Sequence, residues 1–220
     1  MSESGATAAS RTTSRVFWIV IGLIVLYVLL DAVAQVLPPH YSPISQAESD
    51  LAVGPYGYLM ALNFLNRGLL SILFVVAFLR YVDAAGGERG AYRVGVSLLG
   101  VWAVGAVVLA AFPTDVPPAS PTLHGAIHLV VAIIAFLGGA FGALLISVRL
   151  GKSQGLKAAR GIAVPVAVLA VLACLVVLLL PGAAPHLSNH IGGLTERVFL
   201  GLVLGWMLLV SAFALRSSGH

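Results

Sequence analysis

The chain has 220 residues, of which 60% are hydrophobic and 9% are charged, and its formal net charge is +4. A soluble domain carries about 25% charged residues, so this composition excludes an ordinary soluble protein. Most basic residues lie in short loops, where membrane topology and anionic lipid account for them. The positive charge therefore does not indicate nucleic-acid binding.

Six apolar runs are long enough to cross a bilayer, which takes about 20 residues of helix. Backbone N–H and C=O groups find no water in lipid, so each run is predicted to be α-helical. The predicted helices are residues 16–37, 56–82, 91–112, 123–148, 161–180 and 194–215. The predicted fold is all-α: one domain, residues 16–215, forming a polytopic integral membrane bundle of six transmembrane helices.

The first 15 residues are rich in Ser, Thr and Ala, and we predict a disordered tail there. Residues 216–220 are predicted to form a short second tail. A signal peptide is an alternative, because Ala32-Val33-Ala34 has the small-residue pattern of a cleavage site. However, the apolar run before this sequence approaches spanning length and Asp31 lies just ahead of it, which favours a retained first helix.

Basic residues mark alternate connections between the helices. Ten of the twelve flank the helices at one end of the bundle: Arg11, Arg15, Arg80, Arg89, Arg93, Arg149, Lys152, Lys157, Arg160 and Arg216. The connections 38–55, 113–122 and 181–193 contain no Lys or Arg. The positive-inside rule then predicts a multi-pass cell-membrane protein with both termini in the cytoplasm and these three connections outside.

Polar residues within the first, second, fourth and sixth predicted helices lie in the halves that face outside. They are Tyr27, Asp31 and Gln35; Asn63 and Arg67; His124 and His128; and Glu196 and Arg197. Residues four apart share a helix face, so these stripes predict an outward-facing polar pocket among the four helices. Its candidate ligand-binding residues are Asp31, Asn63, Arg67, Glu196 and Arg197. In the first long loop, Glu48 and Asp50 are expected to face water.

Arg67 lies about eleven residues into its predicted helix, which places it about 16 Å deep and near mid-membrane. An arginine there costs at least about 2.5 kcal/mol, so it should face inward and be paired. By depth, Asp31 is the nearest candidate partner and Glu196 the second. Either a salt bridge locks the helices together, or the guanidinium fork holds a phosphate or carboxylate.

Two His-x-x-x-His pairs are candidate metal ligands, because imidazoles four apart on a helix converge on one ion. The proposed ligands are His124, His128, His186 and His190, with Asp115 as a third ligand and Asp31 or Glu196 as alternatives to it. Zinc is the expected metal, and axial haem ligation by two of these histidines is a further alternative. Pro185 and Gly192-Gly193 argue against a regular helix through the second pair.

Four short motifs occur in a fixed order along the chain. They are Tyr41-Ser42-Pro43-Ile44-Ser45, Phe112-Pro113-Thr114-Asp115, His124-Gly125-Ala126-Ile127-His128 and Gly193-Leu194-Thr195-Glu196-Arg197. Over residues 17–215 the chain thereby resembles the bacterial and archaeal six-helix membrane family catalogued as domain of unknown function 998. The resemblance implies the six-helix architecture and an outer-face position for the motifs, and it implies no activity.

Three functions stay open at this point. The pocket binds a small polar ligand, an ion or a lipid head group, with transport as one use of such binding. Alternatively, a zinc-bound water hydrolyses a lipid or amphiphile at the outer leaflet. A looser similarity with the zinc-dependent alkaline ceramidases and adiponectin-receptor hydrolases slightly favours this hypothesis. In the third, the protein is a scaffold for membrane partners. Membrane lipids are expected partners in each case.

Overall fold

The computed structural model describes residues 3–152 and 155–218. Its six long helices are α1 (Glu3–Val36), α2 (Gly57–Ala84), α3 (Arg93–Ala111), α4 (Leu123–Arg149), α5 (Lys157–Ala183) and α6 (Pro185–Ser218). Three short 3₁₀ helices, Glu48–Ala52, Arg89–Tyr92 and Leu150–Lys152, lie between them, and the described residues contain no β-strand. All six long helices are apolar and long enough to span a membrane, which confirms the predicted all-α bundle.

Two predicted irregular segments are helical instead. Helix α1 begins at Glu3, so the predicted disordered tail is helical from residue 3 to residue 15. Only Ala184 separates α5 from α6, where a loop over residues 181–193 was predicted. Extending an existing helix is easy because nucleation is its costly step, and Pro185 takes the first helical position, where its missing N–H is not needed. Residues 1–2 and 219–220 of the predicted tails lie outside the described residues.

The helices pack in chain order around a closed ring, because α6 returns to contact α1. Helix α6 also contacts α2 and α4. The middle of the bundle is filled by aromatic side chains, with Phe74 against Trp206 and Trp102 against Phe199. Trp206 is fully buried and donates its indole N–H to Ser147 Oγ at 2.7 Å, so it packs in the core of the bundle.

Glycines allow α3 and α4 to approach closely beneath the site described below. A Cβ atom at Gly138 would lie 2.7 Å from the carbonyl oxygen of Leu98, so only glycine fits this crossing. At Gly139 a Cβ atom would lie 2.7 Å from the Trp102 ring. Gly139 therefore makes the space in which the Trp102 indole lies flat against α4, and this places the ring in the centre of the bundle.

The connection between α1 and α2, residues 37–56, folds over one end of the bundle. Its 3₁₀ helix, Glu48–Ala52, contacts α1, α2 and α6. We call this the proline-rich end, since it also holds the connection 112–122 between α3 and α4. A Cβ atom at Gly193 would overlap Gln46 O and lie 2.7 Å from Pro43 O, so the glycine allows the connection to lie directly on α6.

Candidate functional site

Arg197 joins the connection 37–56 to the start of α6. Its Nη1 donates hydrogen bonds to the carbonyl oxygens of Pro43 at 2.9 Å and Gln46 at 3.1 Å. Its Nη2 donates to the Tyr41 hydroxyl at 2.6 Å. The first and last of the four motifs are therefore one structural unit, in which the guanidinium satisfies backbone carbonyl oxygens of the connection.

Asp31 is the carboxylate that pairs with Arg197. Its Oδ1 lies 3.7 Å from Arg197 Nη2, and Gln35 donates to its Oδ2 at 2.5 Å. The expectation that Asp31 pairs with Arg67 is therefore wrong. The reason is tertiary: α6 begins earlier than predicted and brings Arg197 beside the end of α1, at the depth of Asp31.

Glu48 is buried at the centre of this end of the bundle, with only 2% of its surface exposed. The Tyr27 hydroxyl donates to Glu48 Oε1 at 2.5 Å, and the Glu48 backbone N–H donates to Glu196 Oε2 at 3.0 Å. The expectation that Glu48 faces water is wrong, because its 3₁₀ helix turns inward between α1, α2 and α6. Burial raises the pKa of Glu48 to about 8, and the nearby Asp31 and Glu196 carboxylates add to the rise.

This raised pKa predicts a pH-dependent stability. Between the ordinary value of 4.5 and about 8, native Glu48 holds a proton that the unfolded chain has released. The free energy of unfolding should therefore fall as the pH rises through this window and then level off. In Glu48→Gln the side chain stays neutral, so the variant should show a shallower decline in Tm than the wild type between about pH 5 and pH 8 in neutral detergent.

Asp50 supplies the control for this experiment. Burial also raises its pKa, which gives stability changes of the same sign, so some decline should remain in Glu48→Gln. Asp50→Asn is the matched variant, because it neutralises a less buried carboxyl of the same 3₁₀ helix. A Glu48→Gln protein whose Tm falls as steeply as that of the wild type would contradict the buried, protonated state of Glu48.

Arg67 is buried in the middle of the bundle, with 1% of its surface exposed. Its guanidinium carbon lies 4.5 Å from the Trp102 ring centroid and 5.2 Å from that of Phe64. Among the described residues no carboxylate lies within ion-pair distance of it, and its Nε and Nη2 have no hydrogen-bond partner. The structural salt bridge that we considered for Arg67 is thus absent from the described part of the chain.

Polar side chains of α2 and α3 fix the surroundings of Arg67. Ser71 Oγ donates to the Arg67 carbonyl oxygen at 2.7 Å and accepts from Trp102 Nε1 at 3.1 Å. Asn63 Nδ2 donates to the Tyr27 carbonyl oxygen at 3.2 Å, so it holds α2 against α1. Trp102 was not among the predicted site residues, because an aromatic residue in an apolar helix is typical of packing.

A cavity of about 290 Å³, which we call the cleft, opens beside Arg67 between α4 and α5. Its charged and polar lining consists of Arg67, His128, Glu196, Ser49 and Thr114, and the other lining residues are apolar. It differs from the polar pocket that we predicted among the first, second, fourth and sixth helices. No described residue of α1 lines the cleft, and apolar residues of α5 form one wall of it.

A second cavity, which we call the vestibule, adjoins the cleft at the proline-rich end and has a volume of about 520 Å³. Its polar lining includes Gln46, Asp50, Ser188 and Asn189. Glu196 lines both cavities, together with Val177 and Pro181 of α5. Glu196 therefore lies where the vestibule meets the cleft, which has fewer polar lining residues.

The predicted metal ligands do not gather at one point. His128 is buried, with its Nδ1 2.7 Å from the Phe112 carbonyl oxygen, whereas His124, His186 and His190 are exposed. The last two lie on a regular helix, contrary to expectation, since α6 begins at Pro185. Within residues 3–152 and 155–218 no group of three His, Cys, Asp or Glu side chains is placed to hold a metal ion. Zinc and haem stay predictions.

Asp115 is engaged at the start of α4. It accepts hydrogen bonds from the backbone N–H of Thr122 at 2.7 Å and from its hydroxyl at 2.8 Å, and Thr122 in turn caps the helix by accepting from Gly125 N. These bonds to the charged form hold the pKa of Asp115 below its ordinary value. The second and third motifs thus form one capping arrangement.

Comparison with known proteins supplies a family. The family described as "Protein of unknown function (DUF998)" matches residues 20–212, a range that contains all four motifs. No curated protein matches the chain, and no solved structure matches it. The match extends over most of the chain and includes residues of all six candidate spans. The chain therefore belongs to the DUF998 family.

Proposed function

We propose that this protein binds, within its helical bundle, a ligand whose carboxylate or phosphate group is held by Arg67. The observation that carries the proposal is the pair of buried nitrogens, Nε and Nη2, which have no partner among the described residues. These two nitrogens form one edge of the guanidinium. That edge is the fork with which arginine binds a carboxylate or phosphate through two parallel hydrogen bonds.

The charges around Arg67 support an anionic ligand. A buried charge without a partner costs several kcal/mol, of the order that a bound counter-charge would offset. Glu48 does not supply that charge at neutral pH, since its pKa of about 8 leaves it mostly protonated. Glu196 lines the same cleft but lies beyond ion-pair distance of Arg67, and one of its oxygens already accepts the Glu48 N–H.

The cleft provides the path to Arg67. Arg67 is one of its lining residues, yet Nε and Nη2 are enclosed. Binding therefore requires the guanidinium to turn toward the cleft by rotation about its flexible stem. This rotation breaks the cation–π contact with the Trp102 ring, which contributes up to about 2 kcal/mol. The charge-assisted hydrogen bonds to the anionic ligand compensate for the lost contact.

The site is proposed to face outside, with both termini in the cytoplasm. Ten basic residues flank the helices at the end opposite the proline-rich end, and this asymmetry is the usual determinant of orientation. Ser188→Cys tests the orientation, since Ser188 lines the vestibule and the native Cys174 is buried. In intact cells a membrane-impermeant maleimide should label the variant, and labelling only after cell lysis would reverse the proposed orientation.

The proposed function is tested by equilibrium binding of octanoate to the purified protein in an uncharged detergent, with octanol as the neutral analogue. Wild-type protein should bind octanoate and discriminate against octanol. Arg67→Met should weaken octanoate binding at least about tenfold, which corresponds to about 1.4 kcal/mol. Arg67→Lys keeps the charge but loses the fork, so an intermediate affinity is expected.

Arg216→Met is the matched control, because Arg216 is exposed on the last turn of α6 at the opposite end of the bundle. It should bind octanoate as the wild type does. Equal octanoate binding by wild type and Arg67→Met would overturn the proposal. So would equal binding of octanoate and octanol by the wild type, since the guanidinium would then contribute no recognition.

A further inference from the structure

The mouth of the cleft lies on the side of the bundle. Leu129 and Ile133 of α4 line the cleft and are also exposed at the bundle surface, by 61% and 36%. The facing wall is formed by Val177, Leu178 and Pro181 of α5. Since α4 and α5 are both candidate membrane spans, the surface between them is covered by lipid in a bilayer. The cleft thus opens toward the hydrocarbon region.

We infer that the ligand is a single-chain amphiphile that enters sideways from the bilayer, with its anionic head at Arg67 and its chain leaving between α4 and α5. This inference rests on the proposed function and adds the class of ligand and its route. The head would lie beside Arg67 in the cleft, and Glu196, which lines the same cleft, also lines the vestibule. The charged and polar residues of the cleft thus suit the head, and its apolar walls on α4 and α5 suit the chain.

The size of the cleft favours one chain. Its volume of about 290 Å³ lies just below the range of about 300–1,000 Å³ found for small-molecule sites. Apolar residues such as Ala132 and Phe136 line it in addition to those at the mouth. A second chain would have to displace these packed side chains, so a two-chain phospholipid is expected to be excluded.

The binding free energy that distinguishes one ligand from another is expected to come from the anionic head group. Moving an alkyl chain from lipid into an apolar cleft gains little, because the hydrocarbon interior is as apolar as the protein wall. Discrimination must then come from the charged group at Arg67. A carboxylate and a phosphate monoester share the chemistry that this fork recognises, so dodecanoate and lysophosphatidic acid are the two probes that separate these sources.

The first test locates the chain. Protein in phosphatidylcholine nanodiscs is irradiated with a dodecanoate that carries a diazirine near its chain end, and the labelled peptides are identified by mass spectrometry. Labelling is expected at the mouth, on Leu129, Ile133 or Leu178. Excess dodecanoate should suppress this labelling while dodecanol does not, and lysophosphatidic acid should suppress it as well if the fork also accepts a phosphate monoester.

The second test uses a variant in which the cleft is narrower. Ala132→Phe places a ring inside it, whereas Val130→Phe places the same ring on the lipid-facing side of α4, where Val130 is 56% exposed. Ala132→Phe should weaken dodecanoate binding about tenfold or more, and Val130→Phe should leave it within about twofold. If Ala132→Phe does not yield folded protein, the labelling of wild-type protein decides alone.

The outcomes separate this inference from the proposed function. Dodecanoate-sensitive labelling of Ser188 or Asn189 in the vestibule, combined with loss of binding in Arg67→Met, would overturn the sideways entry and leave the anion site standing. Unchanged binding in folded Ala132→Phe would also overturn it. Binding that is the same in wild type and Arg67→Met would remove both proposals, since the amphiphile would then not be held by the guanidinium.

Discussion

Replacing Arg67 with methionine is expected to make the protein more stable while ligand binding is lost. Methionine has a similar length and fills the space beside Trp102, where its sulfur recovers part of the contact at about 0.3–1.5 kcal/mol. The variant removes a buried charge whose Nε and Nη2 have no partner among the described residues. Replacing buried charged groups by apolar residues of similar volume is often neutral or stabilising by about 1–4 kcal/mol.

The measurement is Tm in an uncharged detergent without added ligand. Each kcal/mol corresponds to roughly 2–4 °C for a chain of this size, so an increase of a few degrees is expected. A clear fall in Tm would mean that Arg67 stabilises the fold and would favour the structural role that we considered from the sequence. Higher stability together with lost binding is the pattern of a group retained for function at the expense of stability.

Arg197→Met is expected to have the opposite effect on stability, and a larger one. Arg197 donates to three carbonyl oxygens, of Pro43, Gln46 and Gly193, and pairs with Asp31. Removing one partner of this partly buried network leaves the others unsatisfied, at a cost of about 1–3 kcal/mol for each group left without a partner. The Tm should fall by about 10 °C or more, using the same conversion.

The loss of structure in Arg197→Met should begin at the proline-rich end. The connection 37–56 is held on α6 through these bonds, so limited proteolysis should cut this connection in Arg197→Met before it cuts wild-type protein. Arg216 is exposed, so Arg216→Met should change the free energy of unfolding by no more than about 0.5 kcal/mol. If the connection is cut at the same rate in Arg197→Met as in wild-type protein, contacts other than those of Arg197 hold it.

The four sequence motifs contact each other in two pairs in the structure. Arg197 from the last motif binds Tyr41 and the carbonyl of Pro43 from the first, and Gly193 gives the backbone room to approach. Asp115 from the second motif fixes Thr122, whose hydroxyl caps the helix that the third motif begins. These pairs close the proline-rich end of the bundle, and they leave Glu196 available to line the cleft and the vestibule.

The comparison of Arg67 with Glu48 shows where sequence-based reasoning succeeds and where it stops. The depth of Arg67 follows from counting residues along a helix, because each residue advances the chain by about 1.5 Å, and its burial is confirmed. Glu48 lies in an irregular segment without a repeating pattern. Nothing local indicates that its 3₁₀ helix turns inward, so its burial is a result of contacts with three distant helices.

The amino-acid sequence by itself determined the six helices that are long and apolar enough to span a membrane, the all-α class and the family, since apolar runs of this length satisfy their backbone hydrogen bonds internally as helices. Only the tertiary structure decided which charges meet. It paired Asp31 with Arg197, left the Arg67 fork without a described partner and opened a cleft along α5, whose predicted span, residues 161–180, has no charged side chain. Helical periodicity specifies faces and depth, whereas partners depend on the rotation and contact of whole helices, which no single segment encodes.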